Sequence, residues 1–217
     1  MTQKPERRYL GKLPDERDAA REGRLLVAAK AMFGSQGYAA TTVDRICAAA
    51  KVSTRNFYQH FDNKEAIFLA VYEEVTRKSF ERASAVLEET AGQSIVERIP
   101  RAFLAYIAPM IEDVHTTRIA FVEIVGASER IEQRRLAFRE ALVDLIEMEG
   151  TKAVEMGDIQ PRNFRVAALA LAGAANAIVY DWSLSSGDAP VEELEAELAE
   201  LALVLLAGER PERPAKT

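Results

Sequence analysis

The chain is 217 residues long, 48% hydrophobic, and carries a net charge of −6. That apolar share is enough for a real core, while the negative total argues against a general nucleic-acid coat. A single cysteine, Cys47, excludes an internal disulfide and fits a reducing cytoplasm, and two histidines with no cysteine cluster offer no zinc-site spacing.

Charge is divided unevenly. Residues 1–72 hold 12 Lys and Arg against 8 Asp and Glu, whereas residues 73–217 hold 16 against 26. A basic end on an acidic body gives a local footprint for DNA, although domains also differ in sign by chance. Residues 1–20, with Pro5, Pro14 and many charges, read as a mobile tail without the apolar stretch of a signal peptide. Lys4, Arg7, Arg8, Lys12 and Arg17 there either stay solvated or reach a minor groove.

From about Arg21 to Gln36, Leu25, Leu26, Ala29, Met32 and Phe33 recur at the spacing of an amphipathic helix, and Gly37 is placed to stop it. Residues 41–68 then read as two short helices around a tight turn, followed by a third. Thr42 is the expected N-cap of the first, with Val43, Ile46 and Ala50 facing inward. Cys47, beside Ile46, reads as a small buried hydrophobe, since no basic group flanks it to favour a thiolate. Ser53 caps the second short helix, Thr54 to about Phe61, in which Phe57 and Phe61 share one side. Thr54, Arg55, Asn56, Tyr58, Gln59 and His60 are left facing elsewhere, as suits a helix lying in a DNA major groove. Asp62 is the expected cap of the third helix. Its first turn carries Lys64, a cation where the helix dipole prefers an acid, which suggests a phosphate neighbour.

This segment resembles the DNA-binding domain of the TetR family of bacterial transcriptional regulators. The family pattern runs roughly T-x-x-x-I-A-x-x-A-G-V-S-x-x-T-x-Y-x-x-F-x-x-K-E-x-L. Thr42, Ile46, Ala50, Val52, Ser53, Tyr58, Phe61, Lys64 and Glu65 match it. The likeness covers about residues 24–72, and beyond them it is one of helix pattern only. Lys51 replaces the usual turn glycine and is expected to take a positive φ, and Asn56 replaces a threonine. The resemblance implies a homodimeric repressor that binds an inverted-repeat operator and is released by a small apolar or amphipathic ligand. It also implies phosphate-side contacts from Tyr58, His60 and Lys64, with Thr42 at the other flank. Thr54, Arg55 and Asn56 become the readers of base edges, and Arg45 and Ser53 complete the expected contact set.

Past this segment the helix begun at Lys64 runs through Phe68, Tyr72 and Val75 toward about Glu89 and forms a natural lever into the rest of the chain. Amphipathic segments follow near 94–113, 117–127 and 129–156, the first interrupted by Pro100 and Pro109. In the third, Arg130, Arg134, Arg135 and Arg139 form a charged surface, and Phe138, Leu142, Leu145 and Ile146 mark the buried side. Tyr72, Phe103, Tyr106, Met110, Phe121 and Phe138 are expected to line a ligand pocket or, as plain core, to fill the space between helices. Residues 164–184 are apolar or small throughout Val166–Tyr180 except at Asn176. That stretch of 15 is shorter than a membrane span and implies a helix buried on all sides. Asn176 and Tyr180, four apart, either form the polar end of the pocket or bond a neighbouring helix or partner subunit. A last helix, about Val191 to Ala207, carries Leu194, Leu198, Leu201 and Leu205 on one stripe; paired with the preceding helix, it suits a four-helix dimer interface.

The expected architecture is therefore all-α: a tail over 1–20, a three-helix helix-turn-helix domain over 21–66, a larger helical ligand-binding and dimerisation domain over 67–208, and a tail over 209–217. No P-loop, G-x-G-x-x-G or G-x-S-x-G occurs, so neither a cofactor nor an enzymatic role is expected. The rival reading, an α-helical enzyme or carrier in which 41–68 is only packing, leaves the outward polar residues of the second short helix unexplained. A nonspecific nucleoid-type binder is disfavoured by the net charge.

Overall fold

The computed structural model describes residues 14–184, 190–206 and 208, and among them there is no strand. The basic residues Lys4, Arg7, Arg8 and Lys12 and the expected tail over 209–217 lie outside the described residues. The chain divides into two compact units, one ending at Glu73 and the other beginning at Glu74.

The first unit is built from α1 (Pro14–Gln36), α2 (Val43–Ala50), α3 (Thr54–His60) and the start of α4 (Lys64–Glu89). Helix α1 begins at Pro14 and not near Arg21, so residues 14–20 are helix where a tail was expected. A proline is tolerated in a first turn, and the acids that follow it suit the positive end of the helix dipole. Those first turns carry no apolar stripe, so the sequence holds no periodic signal for them. The helix stops where Gly37 takes φ 86°.

Core formation follows the apolar spacing. Leu25, Ala29 and Phe33 of α1, Ile46 of α2, Phe57 of α3 and Ile67 and Phe68 of α4 are fully buried. Phe33 and Phe68 meet edge to face at 5.0 Å. Thr42 caps α2 by accepting from the Arg45 N–H, and Ser53 caps α3 by accepting from the Asn56 N–H. Lys51 between them sits in the left-handed region at φ 53°, ψ 46°. That conformation lets the Val52 N–H reach the Cys47 carbonyl at 3.0 Å, closing α2 as a glycine usually does. Cys47 is buried, and burial pushes its thiol above the ordinary range. Asn63, and not Asp62, caps α4: its side chain accepts from the Ala66 N–H at 2.9 Å.

The second unit takes in the rest of α4, then α5 (Ile95–Ile107), α6 (Val114–Arg118), α7 (Glu129–Glu155), α8 (Phe164–Leu184) and α9 (Val191–Leu206). Helix α5 continues through Pro100 and gives way only near Pro109, to a 3₁₀ turn over Ala108–Met110. The expected segment from 117 begins earlier, because Asp113 caps α6 by accepting from the His115 and Thr116 N–H groups at 2.9 and 3.0 Å. A π-turn over Ile119–Glu123 follows. Helix α9 packs on α5 and on α8, and α8 packs on α7.

Two expectations about the last helices need correction. Helix α8 is not buried all round: Ala167, Ala168, Leu171, Ala175 and Val179 are inside, whereas Val166, Ala170, Gly173, Ala177, Tyr180 and Leu184 are exposed along the opposite face. At 21 residues it is also long and apolar enough, by length and composition, to cross a membrane, although its inner face belongs to this core. In α9 the buried stripe is Leu194, Leu198, Ala202 and Leu206, with Leu201 and Leu205 half-buried beside it. A spacing of four places the small Ala202 inward, a choice that counting leucines hides.

Candidate functional sites

The first site is the outer face of α3. With Phe57 fully buried and Phe61 nearly so, the helix is fixed in rotation, and Thr54, Arg55, Tyr58 and Gln59 are left in solvent with Asn56 half-buried. Thr54 Oγ1 lies 3.4 Å from the Asp44 carboxylate, tying the start of α3 to α2. Thr42, Arg45 and Ser53 are exposed at the two helix starts, and Arg45 donates to the Ala40 carbonyl at 3.2 Å. Exposed Lys51 adds a cation to the turn, and Gln59 adds an amide at the outer face; neither was among the expected contacts, though the place of Gln59 follows from the rotation that Phe57 sets.

Two expected contacts do not stand in this face. The His60 side chain is only 7% exposed, with Nε2 3.4 Å from Asp18 and Nδ1 3.8 Å from Glu22. It is turned against two carboxylates of α1 and not toward a phosphate-side position on the outer face. The unexpected extension of α1 supplies Asp18, and Glu22 stands in the part of the helix that the apolar spacing already implied. Lys64 is half-buried, donating from Nζ to the Tyr38 carbonyl at 2.8 Å and lying 4.2 Å from the centre of the Tyr38 ring. A cation in the first turn of α4 thus has an internal reason to be there. Burial, and then the Glu65 charge, raise the Tyr38 phenol above its ordinary range.

The second site is a narrow cavity in the larger unit, with an internal space of about 60 Å³. Ala83 and Leu87 of α4, Ile99, Phe103 and Tyr106 of α5, Leu142 and Ile146 of α7, Phe164 of α8 and Leu206 of α9 contribute to its walls. Of the expected pocket residues, Phe103 and Tyr106 are there. Met110 and Phe121 are core residues away from it, Tyr72 is buried in the first unit, and Phe138 is half-buried with the Arg134 guanidinium 4.6 Å from its ring centre. Asn176 and Tyr180 do not line this cavity, and Tyr180 belongs to the exposed face of α8.

The charged residue in the lining is instead Glu149, which accepts from Arg98 at 2.8 Å and from Lys152 at 2.7 Å. Arg98 and Glu149 side chains are 6% and 11% exposed. A legible signal existed for both: each interrupts an apolar helix face, Arg98 among Ile95, Ile99 and Ala102, and Glu149 among Leu142, Leu145 and Ile146. A charge in such a setting calls for a partner.

Comparison with known proteins places both units. Residues 25–71 match the profile of the bacterial regulatory proteins of the tetR family, and residues 92–206 match that of the tetracyclin repressor-like C-terminal domain. The HTH-type transcriptional activator FasR of Mycolicibacterium smegmatis is 45% identical over 51 residues, which are 24% of this chain and 23% of that protein. The uncharacterized HTH-type transcriptional regulator YerO of Bacillus subtilis is 31% identical over 70 residues, or 32% of this chain and 24% of that protein. The matches to FasR and YerO thus span about a quarter of those relatives. Among solved structures, FadR from Bacillus subtilis, in complex with stearoyl-CoA, superposes with a TM-score of 0.76 at 18% identity, covering 87% of this chain and 99% of that one. NalD of Pseudomonas aeruginosa, described as the secondary repressor of the MexAB-OprM multidrug efflux pump, gives 0.69 at 20% identity over 88% and 98%. At such identities these two establish the fold.

Proposed function

The chain belongs to the TetR family of bacterial regulatory proteins, helix-turn-helix regulators of transcription, and from that premise we propose a homodimeric repressor released from its operator by an apolar-tailed ligand. The single observation that carries the DNA side is α3: a helix locked by Phe57 that turns Thr54, Arg55, Tyr58 and Gln59 outward. Thr54, Arg55 and Asn56, in its first turn, read base edges, with Arg55 the strongest reader because arginine pairs two-toothed with guanine. Tyr58, Thr42, Arg45 and Ser53 meet phosphates. Lys64 positions α4 against Tyr38.

The bare face of α8 supports the dimer. Ala170, Gly173 and Ala177 let helices approach closely, and Val166, Tyr180 and Leu184 extend the same stripe. Ala177→Glu is expected to leave a folded monomer in sedimentation and to abolish tight operator binding; a dimer unchanged at micromolar concentration would move the interface elsewhere. In the dimer, two copies of α3 about one helical turn apart, roughly 34–36 Å, meet an inverted repeat.

The cavity supports the ligand response. Ala83 and Leu87 in its wall belong to α4, the same helix that begins at Lys64. A ligand that binds better when α4 is displaced favours the DNA-incompetent state. A coupling of this kind weakens DNA binding about 5–150-fold, and DNA weakens the ligand by the same factor. The enzyme alternative has no observation in its favour, since the carboxylate at the cavity is already held by two cations. Genomic footprinting followed by titration on the footprinted and scrambled duplexes tests the whole reading. A preference for the footprinted duplex that falls on adding an apolar-tailed ligand is expected, and equal affinity for both duplexes overturns it.

A further inference from the structure

The one charged residue of the cavity wall, Glu149, is held by two cations that stand behind the lining. Glu149 Oε2 accepts from Arg98 Nη2 at 2.8 Å, and its Oε1 accepts from Lys152 Nζ at 2.7 Å. Arg98 Nη2 also donates to the carbonyl of Leu87, in the last turns of α4, at 3.2 Å. Arg98 Nε is buried and has no hydrogen-bond partner. A buried donor without an acceptor costs free energy, and of the two cations only Arg98 is buried, the Lys152 side chain being half-exposed.

Three kinds of head group can be weighed against this cluster. An ammonium would add a third cation to one carboxylate whose two oxygens are already engaged. A hydroxyl or a thioester carbonyl gives the unpartnered Arg98 Nε a neutral acceptor only. A carboxylate gives the Arg98 guanidinium a charged acceptor, the pairing in which arginine is strongest. The walls beyond it are aliphatic and aromatic.

We infer that the cavity takes a free fatty acid by class, an aliphatic tail with a single carboxylate head, and that Arg98 receives the head. This rests on the reading of the cavity as the effector site. It also gives the signal a route: the guanidinium that meets the ligand is the one bonded to α4 at Leu87, so a head group that draws Arg98 toward itself loosens that tie.

Calorimetry on the full chain with dodecanoate, dodecanol, dodecylammonium and dodecanoyl-CoA tests the inference. Dodecanoate is expected to bind about tenfold or more tightly than each of the others, the increment of one charge-assisted hydrogen bond. Glu149→Gln keeps an acceptor for Arg98 while removing the competing charge, and is expected to tighten dodecanoate several-fold. The Arg98→Met/Glu149→Gln double variant avoids stranding either partner as a buried charge. In it the preference of acid over alcohol is expected to fall toward parity while dodecanol affinity holds, a pattern that a merely structural Arg98 would not produce. If dodecanol, the ammonium or the thioester binds as well as the acid, or if the double variant keeps the acid preference, the carboxylate assignment is overturned and the cavity remains an effector site. If none of the four binds, both readings fall.

Discussion

In α3, Thr54, Arg55, Tyr58 and Gln59 stand in solvent around a wholly buried Phe57, whereas at the cavity the charges of Arg98 and Glu149 are themselves buried among apolar walls. The outer face of α3 can therefore change without touching the core, because the face proposed for recognition and the residues that give stability occupy opposite sides of one short helix. At the cavity the proposed ligand contact and the core coincide. Removing either partner of the ion pair strands the other, a loss of about 3–5 kcal/mol in buried pairs, so ligand preference there is tied to folding.

That division can be broken from the stability side first. Phe57→Ala removes the anchor of α3 and is expected to cost about 3–5 kcal/mol, enough to melt the small unit at ambient temperature. Circular dichroism melts should show that loss in the absence of any DNA; a melting curve close to that of the parent would mean that α3 is held by its caps alone. The recognition side comes next. Arg55→Ala is expected to weaken binding to the cognate duplex by about 1–3 kcal/mol and to leave the melt unchanged. Equal weakening on a scrambled duplex would reassign Arg55 to phosphate. The smallest effect tests the turn between the two short helices. Lys51 holds φ 53°, and a left-handed conformation costs a residue with a Cβ about 1–2 kcal/mol, of which glycine's greater freedom in the unfolded chain takes back about 0.5–1. Lys51→Gly should thus raise the denaturation midpoint by a small amount, up to about 1 kcal/mol in stability. A lower midpoint would reveal a contact of the Lys51 side chain worth more than the strain.

The parts of this architecture that were legible are those written in neighbouring residues. Helix α4 runs Lys64–Glu89 as its apolar recurrence implies, Ser53 and Thr42 cap as their positions suggest, and Lys51 takes the positive φ that its place in the turn requires. Local signals mislead where two neighbours offer the same chemistry, as Asp62 and Asn63 do for the cap of α4. They are silent where the partner is remote. His60 turns inward because Asp18 and Glu22 wait on α1, some forty residues earlier, and Arg98 meets Glu149 across 51 positions of sequence. Asn176 and Tyr180 are polar residues in an apolar run, but helical rotation carries Tyr180 onto the bare side of α8. A run apolar all round holds no information about which side meets the core. The one-residue choice between Ala202 and Leu201 in α9 is unreadable for the same reason.

Gly150 has a consequence for how such a regulator can diverge. The Phe164 ring lies where a side chain at 150 would begin, 2.6 Å from the position of a Cβ, and both residues line the cavity. A single methyl there must drive the ring from its seat, so the depth of the cavity is open to adjustment at one codon. That codon is separate from the α3 face and from the Arg98–Glu149 pair. On the reading proposed above, a lineage can therefore alter the molecule it senses while keeping its operator and its head-group chemistry intact.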